Sequence, residues 1–220
     1  MTISDPLLDR LARLDTCAVS DALDKLGLAG VVTGLAQLSS PRRIAGRAVT
    51  VKLGVGTPPP GPVRHLGTAA VEASGPGTVI VVEQRSGVEA GSWGGILTLG
   101  AQVRGAAGVI ADGPVRDIDE ARGYGFPVYA RSCTSLTARG RIVELGSQVP
   151  VAIGSVTVHP GDYVLADASA AIFLRPDVAQ KVIAAAEHIA GREAAMAQAL
   201  RAGQPITEVM GASYEHLLGN

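Results

Sequence analysis

Aromatic residues are scarce in this sequence, at 3% of 220 residues. Modules that bind single-stranded nucleic acids stack bases on exposed aromatic rings, so the scarcity argues against such a module. The net charge is -1, so the sequence also lacks the basic excess that neutralises phosphates. We therefore expect no nucleic-acid partner.

Cysteines and long apolar runs are also scarce. The two cysteines, Cys17 and Cys133, lie far apart, which favours reduced thiols in the cytoplasm over a disulfide scaffold. No segment approaches the roughly 18 unbroken apolar residues of a membrane helix, and the first residues contain no apolar run of signal-peptide length. We expect a cytoplasmic protein without a membrane partner.

Aliphatic residues are abundant instead, and hydrophobic residues reach 47%. The length fits a single α/β domain over residues 1–220. Hydrophobic periodicity predicts a β-α-β-α-β centre with parallel strands and right-handed crossovers. The predicted helices cover 16–27, 63–73, 93–107 and 117–124, and the predicted strands cover 45–53, 78–83, 108–111 and 127–131.

The last third of the chain has a different pattern. Residues 151–174 alternate like a β-meander, with a turn at 159–162. Helices are predicted at 177–202 and 206–218, and they would pack on the domain or on a neighbouring subunit. The proline-rich segment Gly54–Pro62, GVGTPPPGP, is expected to be a surface or substrate-facing loop.

The most informative segment is GVIADGPVRDIDE, from Gly108 to Glu120. It predicts a buried strand, a tight turn formed by Asp112, and then Arg116 and Asp117 at the mouth of an acidic helix. The guanidinium can bind a carboxylate or enolate oxygen, and the aspartate can hold a divalent metal. The alternative is a charge pair that only complements the helix dipole.

Gly94 and Gly95 are predicted to open the helix after Trp93. Free amides at Gly95, Ile96 and Leu97 would then bind a substrate carboxylate. The alternative is that the two glycines only allow a tight turn.

Two basic pairs flank other loops of the predicted fold. His65, beside Arg64, is a candidate base, although a solvated surface histidine is the more ordinary interpretation there. Arg139 and Arg141 could border the site, with a solvated loop as the default interpretation.

Five segments occur in an order that points to a known family. They are SDALDKLG (20–27), AGRAVTV (45–51), the Trp-Gly-Gly loop (93–95), GVIADGPVRDIDE (108–120) and VHPGDYVLAD (158–167). Over roughly residues 10–190 the sequence resembles the class II pyruvate aldolases related to 4-hydroxy-4-methyl-2-oxoglutarate aldolase. That family also includes the regulator of ribonuclease E activity and proteins once labelled menaquinone methyltransferases.

The resemblance implies a fold and a set of residue roles. The fold is an αββα sandwich similar to the phosphohistidine swivelling domain, assembled as a homotrimer or hexamer with sites between subunits. Asp117 would bind a divalent metal, Mg or Mn, and Arg116 would contact the keto or enolate oxygen of pyruvate. The amides of Gly94, Gly95, Ile96 and Leu97 would hold the pyruvate carboxylate.

One departure from the family concerns its acidic residue twenty-one positions before the arginine. That acid orients a metal-bound water for proton transfer, and this sequence has Gly95 in its place. Retro-aldol cleavage needs both a base and an acid, so the loss weakens it more than oxaloacetate decarboxylation. The candidate replacements are Glu83, Glu89 and Glu120, or a neighbour's Glu193 or Glu208.

We therefore expect a metal-dependent carbon–carbon lyase that acts on a short 2-keto acid through a metal-stabilised pyruvate enolate. It would be an oxaloacetate decarboxylase or an aldolase of the 4-hydroxy-4-methyl-2-oxoglutarate type. Two alternatives stay open: an enzyme of altered chemistry on the same scaffold in a specialised pathway, and a non-catalytic regulator of ribonuclease activity.

Overall fold

The computed structural model describes residues 5–62 and 64–211. The helices in these residues are α1 (Pro6–Leu11), α2 (Thr16–Lys25), α3 (Thr68–Ala73), α4 (Gly95–Arg104), α5 (Ile118–Gly123), α6 (Pro176–Arg201) and α7 (Ile206–Val209). The strands are β1 (Val31–Val32), β2 (Ala36–Gln37), β3 (Ile44–Gly54), β4 (Thr78–Gln84), β5 (Gly108–Val115), β6 (Val128–Cys133), β7 (Val143–Ser147), β8 (Val151–Ile153), β9 (Val156–Val158), β10 (Tyr163–Ala166) and β11 (Ala171–Leu174). None of the described helices is long and apolar enough to cross a bilayer.

Four parallel strands form the centre of the main sheet. β3 pairs with β4, β4 with β5, and β5 with β6, so the predicted β-α-β-α-β order is confirmed. Antiparallel strands extend both sides in the order β1-β11-β10-β3-β4-β5-β6-β2, while β7 pairs with the end of β3. The sheet curls, and with the long helix α6 it gives the mixed α/β fold that the sequence predicts.

Three apolar clusters cover the sheet. Helices α3, α4 and α5 pack on one face through residues such as Val71, Leu97 and Ile118. The β8–β9 hairpin packs on the opposite face through Val151 and Ile153. Helices α1, α2 and α6 bury β10 and β11. Because both faces of the central strands are covered, they carry an unbroken aliphatic run rather than an alternating one.

Several predicted boundaries are wrong at their ends. Helix α3 begins at Thr68, because Gly67 adopts a left-handed φ of 81° and its amide donates to Glu144. Helix α4 ends at Arg104, because Gly105 takes the left-handed C-terminal position with φ 84°. The last predicted helix is seen at Ile206–Val209, and residues 212–218 of that prediction lie outside the described residues.

The predicted meander is two separate pairs of strands. β8 and β9 form their own two-stranded sheet, whereas β10 and β11 pair within the main sheet. The turn at residues 159–162 connects β9 to β10. In it the carboxylate of Asp162 accepts a hydrogen bond from the amide of His159, and the amide of Gly161, which has a φ of 83°, donates to the carbonyl of Ala48 in β3.

The predicted turn at Asp112 is also wrong, because β5 continues through it with only a register irregularity. Asp112 is 5% exposed and accepts hydrogen bonds from Arg131 (2.7 Å) and from the amide of Gly154 (2.6 Å). A Cβ on Gly113 would lie 2.6 Å from the carbonyl oxygen of Gln84, so the glycine allows close approach of β4. The Asp-Gly pair therefore serves strand packing.

Candidate active site

Two loops meet at the carboxyl end of the parallel strands. Arg116 and Asp117 form the link between β5 and α5, and Gly94 precedes α4. The amide of Arg116 donates to the carbonyl of Trp93 at 3.0 Å, and the amide of Ser92 donates to that of Pro114 at 2.8 Å. These backbone contacts join the two predicted halves of the site into one pocket of about 170 Å³.

Asp117 has a backbone that most residues avoid, with φ 57° and ψ 38°. The left-handed region costs a non-glycine residue roughly 1–2 kcal/mol, less for aspartate, and such strain concentrates at functional sites. The carboxylate does not cap α5. Its Oδ2 accepts from the amide of Gly95 at 3.0 Å, and its Oδ1 lies 3.3 Å from Nε of Arg116. This geometry favours a site over a simple helix-dipole pair.

Three glycines make room for the charged side chains of this pocket. A Cβ on Gly91 would lie 2.9 Å from Cδ of Arg116, and a Cβ on Gly94 would lie 2.9 Å from Oδ2 of Asp117. A Cβ on Gly95 would collide with Oε2 of Glu120 and lie 2.6 Å from its Cδ. The carboxylate of Glu120 therefore occupies the volume that a side chain at position 95 would fill.

The other carboxylates considered as replacements have different partners. Glu83 accepts from the amide of Ala152 at 2.6 Å, beneath the β8–β9 hairpin. Glu89 accepts from Thr134 at 3.0 Å. Burial and the neighbouring carboxylates of Asp15 and Asp21 raise the pKa of Glu193. Both of these aspartates belong to α2 or its N-cap, so Glu193 lies beside α2 of its own chain.

The predicted carboxylate-binding site at the start of α4 has one amide fewer than expected. The amide of Gly95 is already used by Asp117, while those of Ile96 and Leu97, in the first turn of α4, have no acceptor within the helix. No side chain caps this end from the position of Gly94. The two amides after Gly95 are therefore the donors open to a carboxylate.

The pocket also contains the candidate base His65 and two residues that were not singled out from the sequence, Thr137 and Ala138. His65 lines it, with Nδ1 2.9 Å from the carbonyl oxygen of Leu66, and Thr137 and Ala138 close another side. Arg139 and Arg141 are exposed and do not line it, as expected for a solvated loop. His65 reaches the pocket because the backbone turns at Gly67, just before α3, and the sequence does not predict this turn.

The carboxylates of the pocket can be compared with the ligands that a divalent metal ion requires. Among the described residues, no cluster combines three or more histidine, cysteine, aspartate or glutamate side chains. Asp117 and Glu120 nevertheless both approach Gly95. Mg²⁺ is typically bound by one or two carboxylates and completes its shell with water and substrate oxygens. The residues present fit such an ion and do not fit a closed cage.

Comparison with known proteins agrees with this fold. The family model described as RraA-like, Aldolase/RraA, matches residues 16–173. A Halalkalibacterium halodurans protein with the provisional name 4-hydroxy-4-methyl-2-oxoglutarate aldolase is 31% identical over 70% of this chain and 70% of its own length. The chain belongs to the RraA-like family.

Two further relatives differ in how much of their own length this chain spans. Protein DlpA of Legionella pneumophila is 27% identical over 80% of the chain, which spans only 29% of the length of that protein. The structure of Streptomyces coelicolor RraAS2, described as an unusual member of the RNase ES inhibitor RraA family, aligns with a TM-score of 0.75 at 27% identity. That alignment covers 87% of this chain and 96% of RraAS2.

Proposed function

We propose that this member of the RraA-like family is a divalent-metal-dependent carbon–carbon lyase that releases pyruvate from a short 2-keto acid. One observation carries the proposal: the carboxylates of Asp117 and Glu120 converge on Gly95, beside the guanidinium of Arg116. The reaction is oxaloacetate decarboxylation or retro-aldol cleavage of the 4-hydroxy-4-methyl-2-oxoglutarate type.

The first task of the site is to hold the keto acid. The amides of Ile96 and Leu97 bind its carboxylate at the positive end of the α4 dipole. Arg116 binds the keto oxygen and stabilises the negative charge that develops on it. Asp117 would hold Mg²⁺ or Mn²⁺, which when bound would supply a Lewis acid for the keto oxygen.

The second task is proton transfer, and Glu120 is the residue placed for it. Its carboxylate stands where the family's acid would stand, so it can accept the hydroxyl proton in cleavage or return a proton to the enolate carbon. Decarboxylation needs only the second of these steps. We therefore place decarboxylation first and retro-aldol cleavage second.

The proposed homotrimer or hexamer is supported by the surface of α4. Ile96 and Val103 are 80% and 78% exposed, and Leu99, between them on the same stripe, is 38% exposed. An apolar stripe of this kind is typical of a protein interface. A second copy of the chain placed there would border the pocket, because Ile96 lines it.

Pyruvate release from oxaloacetate, above the rate with metal alone, tests the proposal. We expect activity with Mg²⁺ or Mn²⁺ that is lost in Asp117→Ala. Asp119→Ala is the matched control, because that carboxylate is nearby and 96% exposed, so this variant should keep wild-type activity. Equal rates in the wild type and Asp117→Ala would reject the site.

A non-catalytic regulator is the second candidate, and the description of RraAS2 as a member of a ribonuclease inhibitor family supports it. It predicts no turnover of either keto acid and inhibition of a ribonuclease in a cleavage assay. Changed chemistry on the same scaffold predicts metal binding that depends on Asp117 without pyruvate release from either substrate.

A further inference from the structure

A second cavity lies beside the candidate active site. Its volume is about 580 Å³, compared with about 170 Å³ for the pocket at Arg116 and Asp117. It lies between residues 58–62 of the proline-rich segment and residues 142–147, which contain β7, with Ala69 of α3 in its wall. We refer to it as the proline-rich groove.

The groove and the active-site pocket share their walls. Leu66 lines both, and the adjacent residues Arg64 and His65 line the groove and the pocket respectively. On the other side, Ala138 lines the pocket and Ile142 lines the groove, and they are joined by one turn in which the Ile142 amide donates to the Ala138 carbonyl at 3.0 Å. The two cavities therefore adjoin one another at Leu66 and at this turn.

The lining of the groove is mostly apolar and carries no net charge. Four of its residues are prolines, which have fixed backbone angles and no amide donor. The charged members are one cation, Arg64, and one anion, Glu144, and the carboxylate of Glu144 accepts from the Gly67 amide at 2.7 Å. Such a surface selects by apolar contact, and its stiff loop lowers the entropic cost of binding.

We propose that the proline-rich groove binds the distal part of the substrate, so that the preferred substrates are 2-oxo acids ending in a large, uncharged, apolar group, aromatic or branched. The proposal rests on the proposed function for the position of the keto-acid head at Arg116 and Asp117. It extends that function by naming the substrate class. Oxaloacetate, which ends in a second carboxylate, would then be turned over without using the groove.

Binding of two unreactive acids tests this without relying on turnover. Calorimetry with Mn²⁺ present compares pyruvate, which fills only the pocket, with 4-phenyl-2-oxobutanoate, whose ring would reach the groove. We expect the phenyl acid to bind at least about tenfold more tightly, since a few buried methylenes give a difference of this size.

Two substitutions on one helix locate the effect. Ala69→Phe fills the groove, so it should remove the preference for the phenyl acid and leave pyruvate affinity unchanged. Ala73→Phe is the matched control, because Ala73 is exposed on the same helix and does not line the groove. If Ala69→Phe fails to fold, Pro59→Asp in the exposed loop should weaken the phenyl acid alone.

The outcomes separate this inference from the proposed function. Equal affinities in the wild type, no binding of either acid, or an undiminished preference in Ala69→Phe would overturn the groove assignment. If oxaloacetate turnover still depended on Asp117 in that case, the lyase would stand and only the substrate class would fall. A preference lost in Ala69→Phe without any turnover would support the groove and reject the lyase.

Discussion

The variant Gly95→Ala tests whether Glu120 does the work of the acid that the family carries at position 95. Gly95 has no positive φ, so alanine can adopt its backbone, and in a helix alanine is favoured over glycine by up to about 1 kcal/mol. The three atoms nearest to the new Cβ are Oε2 and Cδ of Glu120, at the far end of that side chain, and, at 3.3 Å, Cβ of Asp117. Holding a side chain about 30° away from a preferred rotamer costs about 0.5–1.5 kcal/mol. The free energy of unfolding should therefore change by less than about 1 kcal/mol, or roughly 2–4 °C in Tm.

Activity should respond far more than stability to this change. Displacing a catalytic group by about 1 Å can cost roughly 100-fold, and general acid–base catalysis contributes about 10²- to 10⁴-fold. We expect kcat for oxaloacetate decarboxylation to fall about 100-fold in Gly95→Ala and in Glu120→Ala. The double variant Gly95→Asp/Glu120→Ala returns a carboxylate to the same volume and should recover most of the rate.

Coupled detection of pyruvate, with Tm measured in parallel, is the assay. Gly123→Ala is the control, because Gly123 also lies in a helix but a Cβ there meets nothing within 4 Å. Full activity in a well-folded Gly95→Ala protein would refute the role of Glu120. Failure of the double variant to exceed Glu120→Ala would show that a carboxylate at this place is not sufficient.

Three further predictions concern other parts of the molecule. Arg116→Ala should reduce kcat/KM at least about 100-fold with little change in Tm, because its side chain lies half-buried at a loop; normal turnover would place the site elsewhere. Burial alone would raise the pKa of Asp167, but hydrogen bonds from the side chain and backbone of Thr16 hold that pKa below its usual range. The lowered pKa stabilises the fold above the unfolded pKa of Asp167, and this gain is lost as pH falls through the lower folded pKa. Asp167→Asn should therefore cost about 1.5–3 kcal/mol at pH 7 in denaturant unfolding, and this cost should shrink progressively as pH falls below about 4. Val103→Glu should convert the proposed trimer or hexamer into a smaller species by light scattering, and an unchanged mass would exclude α4 from the interface.

Much of the central fold could be predicted because its signals are local. The run from Val79 to Val82 is aliphatic on both faces, which identifies a strand covered on both sides, and β4 has that place in the sheet. The strongest errors came from residues whose partners are distant in sequence. Asp112 resembles a turn residue until Arg131 and the hairpin amide of Gly154 are placed beside it.

The site shows the same division between local and distant signals. Arg116 and Asp117 stand out by type and by position between a strand and a helix. The contact between Glu120 and Gly95 depends on how α5 packs against α4, which no spacing in the sequence reveals.

The most direct test of the lyase assignment is the rate of pyruvate release from oxaloacetate as Mn²⁺ is added to the wild type and to Asp117→Ala. We predict a saturable, metal-dependent rate above the protein-free background in the wild type and none in the variant. A wild-type rate that does not exceed the background, or a variant that matches the wild type, would contradict a metal-dependent lyase site at Arg116, Asp117 and Glu120.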